Sequence, residues 1–405
     1  MSTDQVLSTT LSKGNGIFRL APNWVPRPFS RPGRRLKLAT EDLYALGKSR
    51  GGITERWFAS TTHADNVGAP PDEGMSYIVV ESDGNPEQVL LKEAIEVMGD
   101  EILGEDVMEE YGGWKMFSKF FDNMGPLPHH VHLDQEHAEK VGAESKPEGY
   151  YFPEQMNFTR GDFPYTFFGL KPDTTKDEVI KCLERFDKGD NGILDLSQAY
   201  RLKPGTGWYV PEGLLHAPGS LCTYEPQYAS DVFSMFQSIV QGETIPREML
   251  VKDVPEGRKN DLDYLVDLLD WEANVDPNLT ENRYNEPVPV KPLEEMKQEG
   301  YIENWVVYGS EFFSGKELTV LPGRSVTIND DSAYGAILLQ GHGSMNSLTV
   351  ETPSLIRYGE LTNDEVFVTA EAAQEGVEIV NKSDKDELVM LKHFGPGNDE
   401  TSSVN

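Results

Sequence analysis

The sequence predicts a mainly β protein, two jelly-roll β-sandwich units with helices appended. Three observations lead there. Short runs of β-branched and aromatic residues recur along the chain, each closed by glycine or proline. The apolar spacing of a helix is confined to a few interruptions. A polar, proline-containing stretch past the middle separates two series of such runs.

Taken in order, residues 1–110 read as strands and helices that pack on the first unit. Within them MSYIVV (75–80) has the cadence of a strand, and EDLYALGK (41–48) and VLLKEAIEVMGDEILG (89–104) have helical spacing. Residues 111–273 make the first sandwich, with GILDL (192–196) and GWYVP (207–211) as strands. Its helices are TTKDEVIKCLERFDKG (174–189), with Thr174 or Thr175 as N-cap and Gly189 as stop, and DLDYLVDLLDWEA (261–273). Residues 274–292 read as a linker. Residues 293–405 make the second sandwich, from NWVVYGSEFF (304–313) through KELTVL (316–321) and GAILLQGHG (335–343) to DELVMLKHF (386–394).

Composition limits the partners. The 405 residues carry 36 Lys+Arg against 68 Asp+Glu, a net charge of 36 − 68 = −32. That excludes general binding to nucleic acid or to an anionic membrane, both of which need clustered positive charge. A homodimer is left open. With no run of eighteen apolar residues and no basic-then-apolar leader in the first 23 residues, the expected location is the cytoplasm. Cys182 and Cys222, far apart, suit a reducing compartment. One basic cluster stands out in this acidic chain, Arg27, Arg31, Arg34 and Arg35, placed either to hold an anion or to pair with carboxylates.

Four of the eight histidines, His129, His130, His132 and His137, fall within PLPHHVHLDQEHAEK. Residues i and i+2 of a strand share a face, so His130 and His132 can reach one cation while His129 turns away. Glu148 of SKPEGYYFP follows as a carboxylate on a separate stretch. His216 of PGTGWYVPEGLLHAPGS follows a tight turn at Pro211 and Gly213. Imidazoles plus one carboxylate, with positions left for water or substrate, compose a catalytic metal site rather than a closed structural one. Glu136, four residues after His132, competes with Glu148 for the carboxylate role. His342 has no partner pattern, so the second sandwich is expected to hold no metal.

These motifs resemble the cupin superfamily, whose signature is an HxH stretch with a following glutamate and a later PxGxxH. Here it is His130, Val131, His132, then Glu148, then Pro211, Gly213 and His216. Within the superfamily the chain is similar to the type I phosphomannose isomerases: Lys146, Pro147 and Glu148 match their KPE motif, His216 and Ala217 their HA pair, and Glu225, Ser230 and Asp231 echo an acidic and SD pattern. The similarity is good over roughly residues 110–245 and loose in the C-terminal half. Two positions depart. His130 stands where those isomerases carry glutamine, and SDVFSMFQS lacks the arginine that follows their SD pair. Arg247, Arg160 or the N-terminal cluster could bring that charge from elsewhere.

The resemblance implies one divalent metal, zinc foremost, with Mn, Fe, Ni or Co also suited. It is expected on His130, His132, Glu148 and His216, where it would stabilise the enediolate of an aldose–ketose interconversion. The substrate class implied is a small carbohydrate, a sugar or a sugar phosphate. Candidates for the proton-moving group are Lys146, Glu136 and Asp231. The same ligands with Fe(II) would suit a dioxygenase, and a non-catalytic sugar-binding protein is the third reading.

Overall fold

A computed structural model describes residues 2–82, 85–158, 163–228, 230–398 and 400. Each half of the chain lays two antiparallel sheets face to face. In the first sandwich a seven-stranded sheet runs Tyr284–Asn285, Gly207–Val210, Glu148–Tyr151, Thr223–Tyr228, Met116–Phe121, Gly52–Phe58 and Asn23–Arg27. Opposite it lie five strands, Ser197–Arg201, Tyr165–Leu170, His216–Ala217, His130–Val131 and Ser234–Met235. The second sandwich pairs a seven-stranded sheet with a four-stranded one, and a core that includes Leu318, Val366, Met390 and Phe394 fills the space between them. The predicted mainly β architecture is the observed one.

Local chemistry explains most elements. The helix Leu91–Leu103 turns Leu91, Ala94, Ile95, Met98 and Ile102 into the core. The helix Lys176–Leu183 starts at Thr175, whose side chain and that of Glu178 form a reciprocal capping box. Three segments differ from the sequence reading. GILDL is a 3₁₀ turn, Ile193–Leu196, because Gly192 enters it in the left-handed region at φ 76°. EDLYALGK forms no long helix: it yields the short turn Thr40–Asp42, followed by Leu43, which is buried in the core. A first helix, Thr3–Gly14, was not predicted; it carries a Ser2–Gln5 capping box.

The N-terminal segment also packs on both sandwiches rather than on the first alone. Asn23–Arg27 and Gly52–Phe58 extend the first sandwich, yet Ile17–Arg19 pairs with Glu365–Val368 of the second, in the register Ile17↔Val368. The linker region is likewise structured: Tyr284–Asn285 completes one sheet and Val288–Pro289 begins the other.

Candidate metal centre

The first sandwich brings His130, His132 and His216 together across its interior. His130 and His216 face each other on neighbouring strands of the five-stranded sheet, and Glu148 rises from the seven-stranded sheet opposite. Gly213 sets the approach of His216. Its φ of 76° is one that side chains rarely adopt, and a Cβ there would stand 2.8 Å from the backbone nitrogen of Asp270. The Gly213 N–H donates to the carbonyl of His132 at 2.9 Å, which locks the turn to the other ligand strand.

Each ring is pinned through the same nitrogen. Nδ1 of His130, His132 and His216 lies 2.6, 2.7 and 2.8 Å from the carbonyls of Pro128, Val232 and Leu214. A carbonyl only accepts, so Nδ1 carries the hydrogen and Nε2 presents a lone pair. All three residues are buried, with candidate ligand atoms within 4.8 Å of one another. Nε2 of His132 lies 2.8 Å from Glu148 Oε1, and that of His216 lies 3.6 Å from Oε2, yet neither nitrogen has a hydrogen-bond partner among the described residues. Lone pairs facing at such distances need a positive centre between them. A proton is a poor one at His132, where burial pushes the imidazole down to about 4 and Lys146 adds to the effect against the pull of Glu148. At His130, burial and then His216 and His132 push it well below its ordinary value. The donor set therefore fits a divalent cation. Among the described residues this is the only group of three that could hold one, and His342 lies exposed on its strand.

Around the centre runs a closed circuit of buried charge. Lys146 Nζ is 2.9 Å from Glu148 and 4.0 Å from Asp231. Asp231 and Glu55 share Arg27, at 3.0 and 2.8 Å. Lys119, whose charge acts on Glu55, pairs with Glu225 at 2.8 Å, and Glu225 returns to Glu148. Tyr150 donates its hydroxyl to Glu148 Oε2 at 2.9 Å and so fixes the carboxylate. Burial opposes ionisation of Asp231, but Arg27, Lys146 and Lys252 outweigh it and hold its carboxyl below the usual range. Burial, then Glu148, raise Glu225 well above its ordinary value.

The sequence-predicted residues divide clearly. His130, His132, Glu148, Lys146 and Asp231 line one cavity, with His216 beside them. Glu136 does not join them. Asp134 caps the helix Gln135–Glu139 and turns Glu136 outward, where it is bound to Lys140 at 2.9 Å and 81 % exposed. It does not line the cavity. His129 turns away as expected, to Ser197 at 2.7 Å. Met235 and Phe233, from the stretch that lacks arginine, form part of the wall, and the nearby guanidinium is that of Arg27. Arg247 lies elsewhere, 3.8 Å from Asp187, and Arg160 lies outside the described residues. Glu55 and Lys119 went unremarked in the sequence, although a lysine amid MFSKFF is an anomaly a strand reading can flag. The cavity holds about 40 Å³, room for an ion and about three water molecules.

No family model matches the chain, and no curated protein matches its sequence. Its fold has many solved counterparts. A protein from Archaeoglobus fulgidus provisionally assigned as a mannosephosphate isomerase superposes with a TM-score of 0.61 at 16% identity, over 94% of this chain and 97% of that one. A substituted form of phosphomannose isomerase from Salmonella typhimurium gives 0.60 at 13%, over 94% and 99%. A zinc-bound mannose 6-phosphate isomerase gives 0.60 at 14%, over 94% and 100%. In fold, the chain is similar to these phosphomannose isomerase structures over nearly its whole length.

Proposed function

We propose that this chain is a metal-dependent isomerase that interconverts an aldose and a ketose. The observation that carries this reading is the set of three pinned imidazoles whose lone pairs converge on Glu148, beside Lys146, in a cavity of the fold that phosphomannose isomerases share. His130, His132, Glu148 and His216 would hold the metal, zinc foremost because a fold neighbour carries it. When bound, it supplies Lewis-acid polarisation of a carbonyl oxygen. Lys146 reaches into the cavity next to a ligand and is the residue placed to move the proton between the two substrate carbons. Asp231, committed to Arg27, orients Lys146 rather than acting as the base.

A monosaccharide exceeds the space of about 40 Å³, so substrate access requires the wall to part. Phe29 and Leu127, half-buried where the rest of the wall is mostly buried, are the side chains at the surface. The test incubates metal-loaded protein with free and phosphorylated aldoses in deuterated water and follows deuterium entering beside the carbonyl. Lys146→Met should keep the metal and lose the exchange. Full metal content without exchange on any aldose refutes the proposal, and oxygen consumption with Fe(II) in its place would establish the dioxygenase chemistry.

A further inference from the structure

The buried charge around the metal centre limits what the far end of a substrate can carry. Among the described residues, three cations line the cavity, Arg27, Lys119 and Lys146, and four carboxyl groups face them, Glu55, Glu148, Glu225 and Asp231. Each cation is already engaged: Arg27 by Glu55 and Asp231, Lys119 by Glu225 at 2.8 Å, Lys146 by Glu148 at 2.9 Å. A phosphate group needs donors that are not committed elsewhere, because its charge-assisted bonds must offset the loss of its own water. Here it would have to take a cation from a buried carboxylate, and a buried charge stripped of its partner costs about 3–5 kcal/mol.

The rest of the wall is apolar. Phe29, Leu127, Pro218, Phe233 and Met235 line it, and the rings of Phe29 and Phe233 meet edge to face at 6.2 Å. Two further cations stand near it, and both are held. Lys252 Nζ lies 4.4 Å from the centre of the Phe233 ring but bonds Asp65 at 2.7 Å and Asp253 at 3.3 Å, and Arg31, two residues from Phe29, bonds Glu243 at 2.9 Å. Outside, the chain's net charge of −32 lowers the local concentration of anions. With the carbonyl end of an aldose at the imidazoles and Lys146, its other end meets the apolar wall where Phe29 and Leu127 reach the surface. On the basis of the isomerase reading, we infer that the site selects an unphosphorylated aldose over its phosphate ester, with the wall at Phe29, Leu127 and Phe233 setting the preference.

Calorimetry on the metal-loaded protein compares mannitol with mannitol 1-phosphate, and the deuterium-exchange assay compares mannose with mannose 6-phosphate at low and at high salt. Mannitol should bind at least about tenfold more tightly than its phosphate. Exchange into mannose should be indifferent to salt, whereas exchange into the phosphate should be slower and should rise as salt screens the acidic surface. Phe29→Arg places an uncommitted cation at a half-buried position of the wall and should tighten mannitol 1-phosphate about tenfold. Tighter binding of the phosphate by the wild type, binding of neither alditol, or no gain in Phe29→Arg would overturn the selectivity. The isomerase reading fails separately: mannitol bound in preference, with no exchange into either sugar, refutes that reading and leaves the selectivity in place.

Discussion

Replacing Arg27 by methionine removes the one buried cation that Glu55 and Asp231 share. Arg27 makes four hydrogen bonds to them, between 2.8 and 3.2 Å, and its side chain is 4% exposed. Removing one member of a buried ion pair costs about 3–5 kcal/mol, because the partner stays buried without compensation. Here two carboxylates lose their closest cation, while Lys146 and Lys252 still act on Asp231 and Lys119 on Glu55, so the cost belongs within that range. With an unfolding entropy of about 2.1 cal/mol/K per residue over 405 residues, 3–5 kcal/mol lowers Tm by about 4–6 °C. Arg31→Met is the control: its bond to Glu243 is as short, 2.9 Å, but the two side chains are 58% and 70% exposed, and such pairs contribute about 0–1 kcal/mol. Differential scanning calorimetry of both variants separates burial from bond length. Adding Glu55→Gln and Asp231→Asn to Arg27→Met should restore at least half of the loss, since neutral amides need no cation. Equal Tm shifts for the two arginine variants, or no recovery in the triple variant, would refute the reasoning.

Three further outcomes are expected. Elemental analysis should find about one divalent metal per chain in the wild type and far less in His132→Ala and His216→Ala, while Glu136→Ala retains it. Gly213→Ala should destabilise the protein by about 1–3 kcal/mol in urea unfolding and weaken metal retention, because its new Cβ meets Asp270 and the turn carries His216. Glu365, buried and beside Asp364, is pushed up to about 8 by burial and then by Asp364, against the pull of Arg56. An acid whose folded value is raised stabilises the fold below its unfolded value, near 4.5, and loses that contribution as pH rises to about 8. Glu365→Gln should therefore gain on the wild type by about 1.4 kcal/mol per pH unit across that window, and a pH-independent difference would contradict it.

Much of this was legible in the sequence, and the limits have physical causes. His130 and His132 could be paired because a strand repeats every two residues, and His216 because Pro211 and Gly213 announce the turn before it. Glu136 misled because distance along the chain says nothing of direction: Asp134 starts a helix, and the next residues rotate off the strand face. The charge circuit was hidden for a different reason. Its members come from five strands and two loops, and those on strands each read alone as a polar position in an alternating pattern. Arg27 and Arg31 stand four residues apart in one basic cluster, yet one is interior and the other exposed, a difference fixed by sheet pairing that no local pattern encodes.

The pairing of Ile17–Arg19 with Glu365–Val368 bears on how the molecule is made. During synthesis the first of these strands emerges some 350 residues before its partner, with register Ile17↔Val368. It must wait, beside neighbours that already belong to the other sandwich, until nearly the whole chain exists. The second sandwich thus closes last, and its edge strand is one the ribosome delivered at the outset. Late closure of this kind is slow and leaves an unpaired strand edge open to other chains meanwhile. The two halves, though each has its own sheets, are expected to behave as one folding unit: cutting the chain between them strips a strand from the second sandwich and leaves Glu365–Val368 with a bare flank.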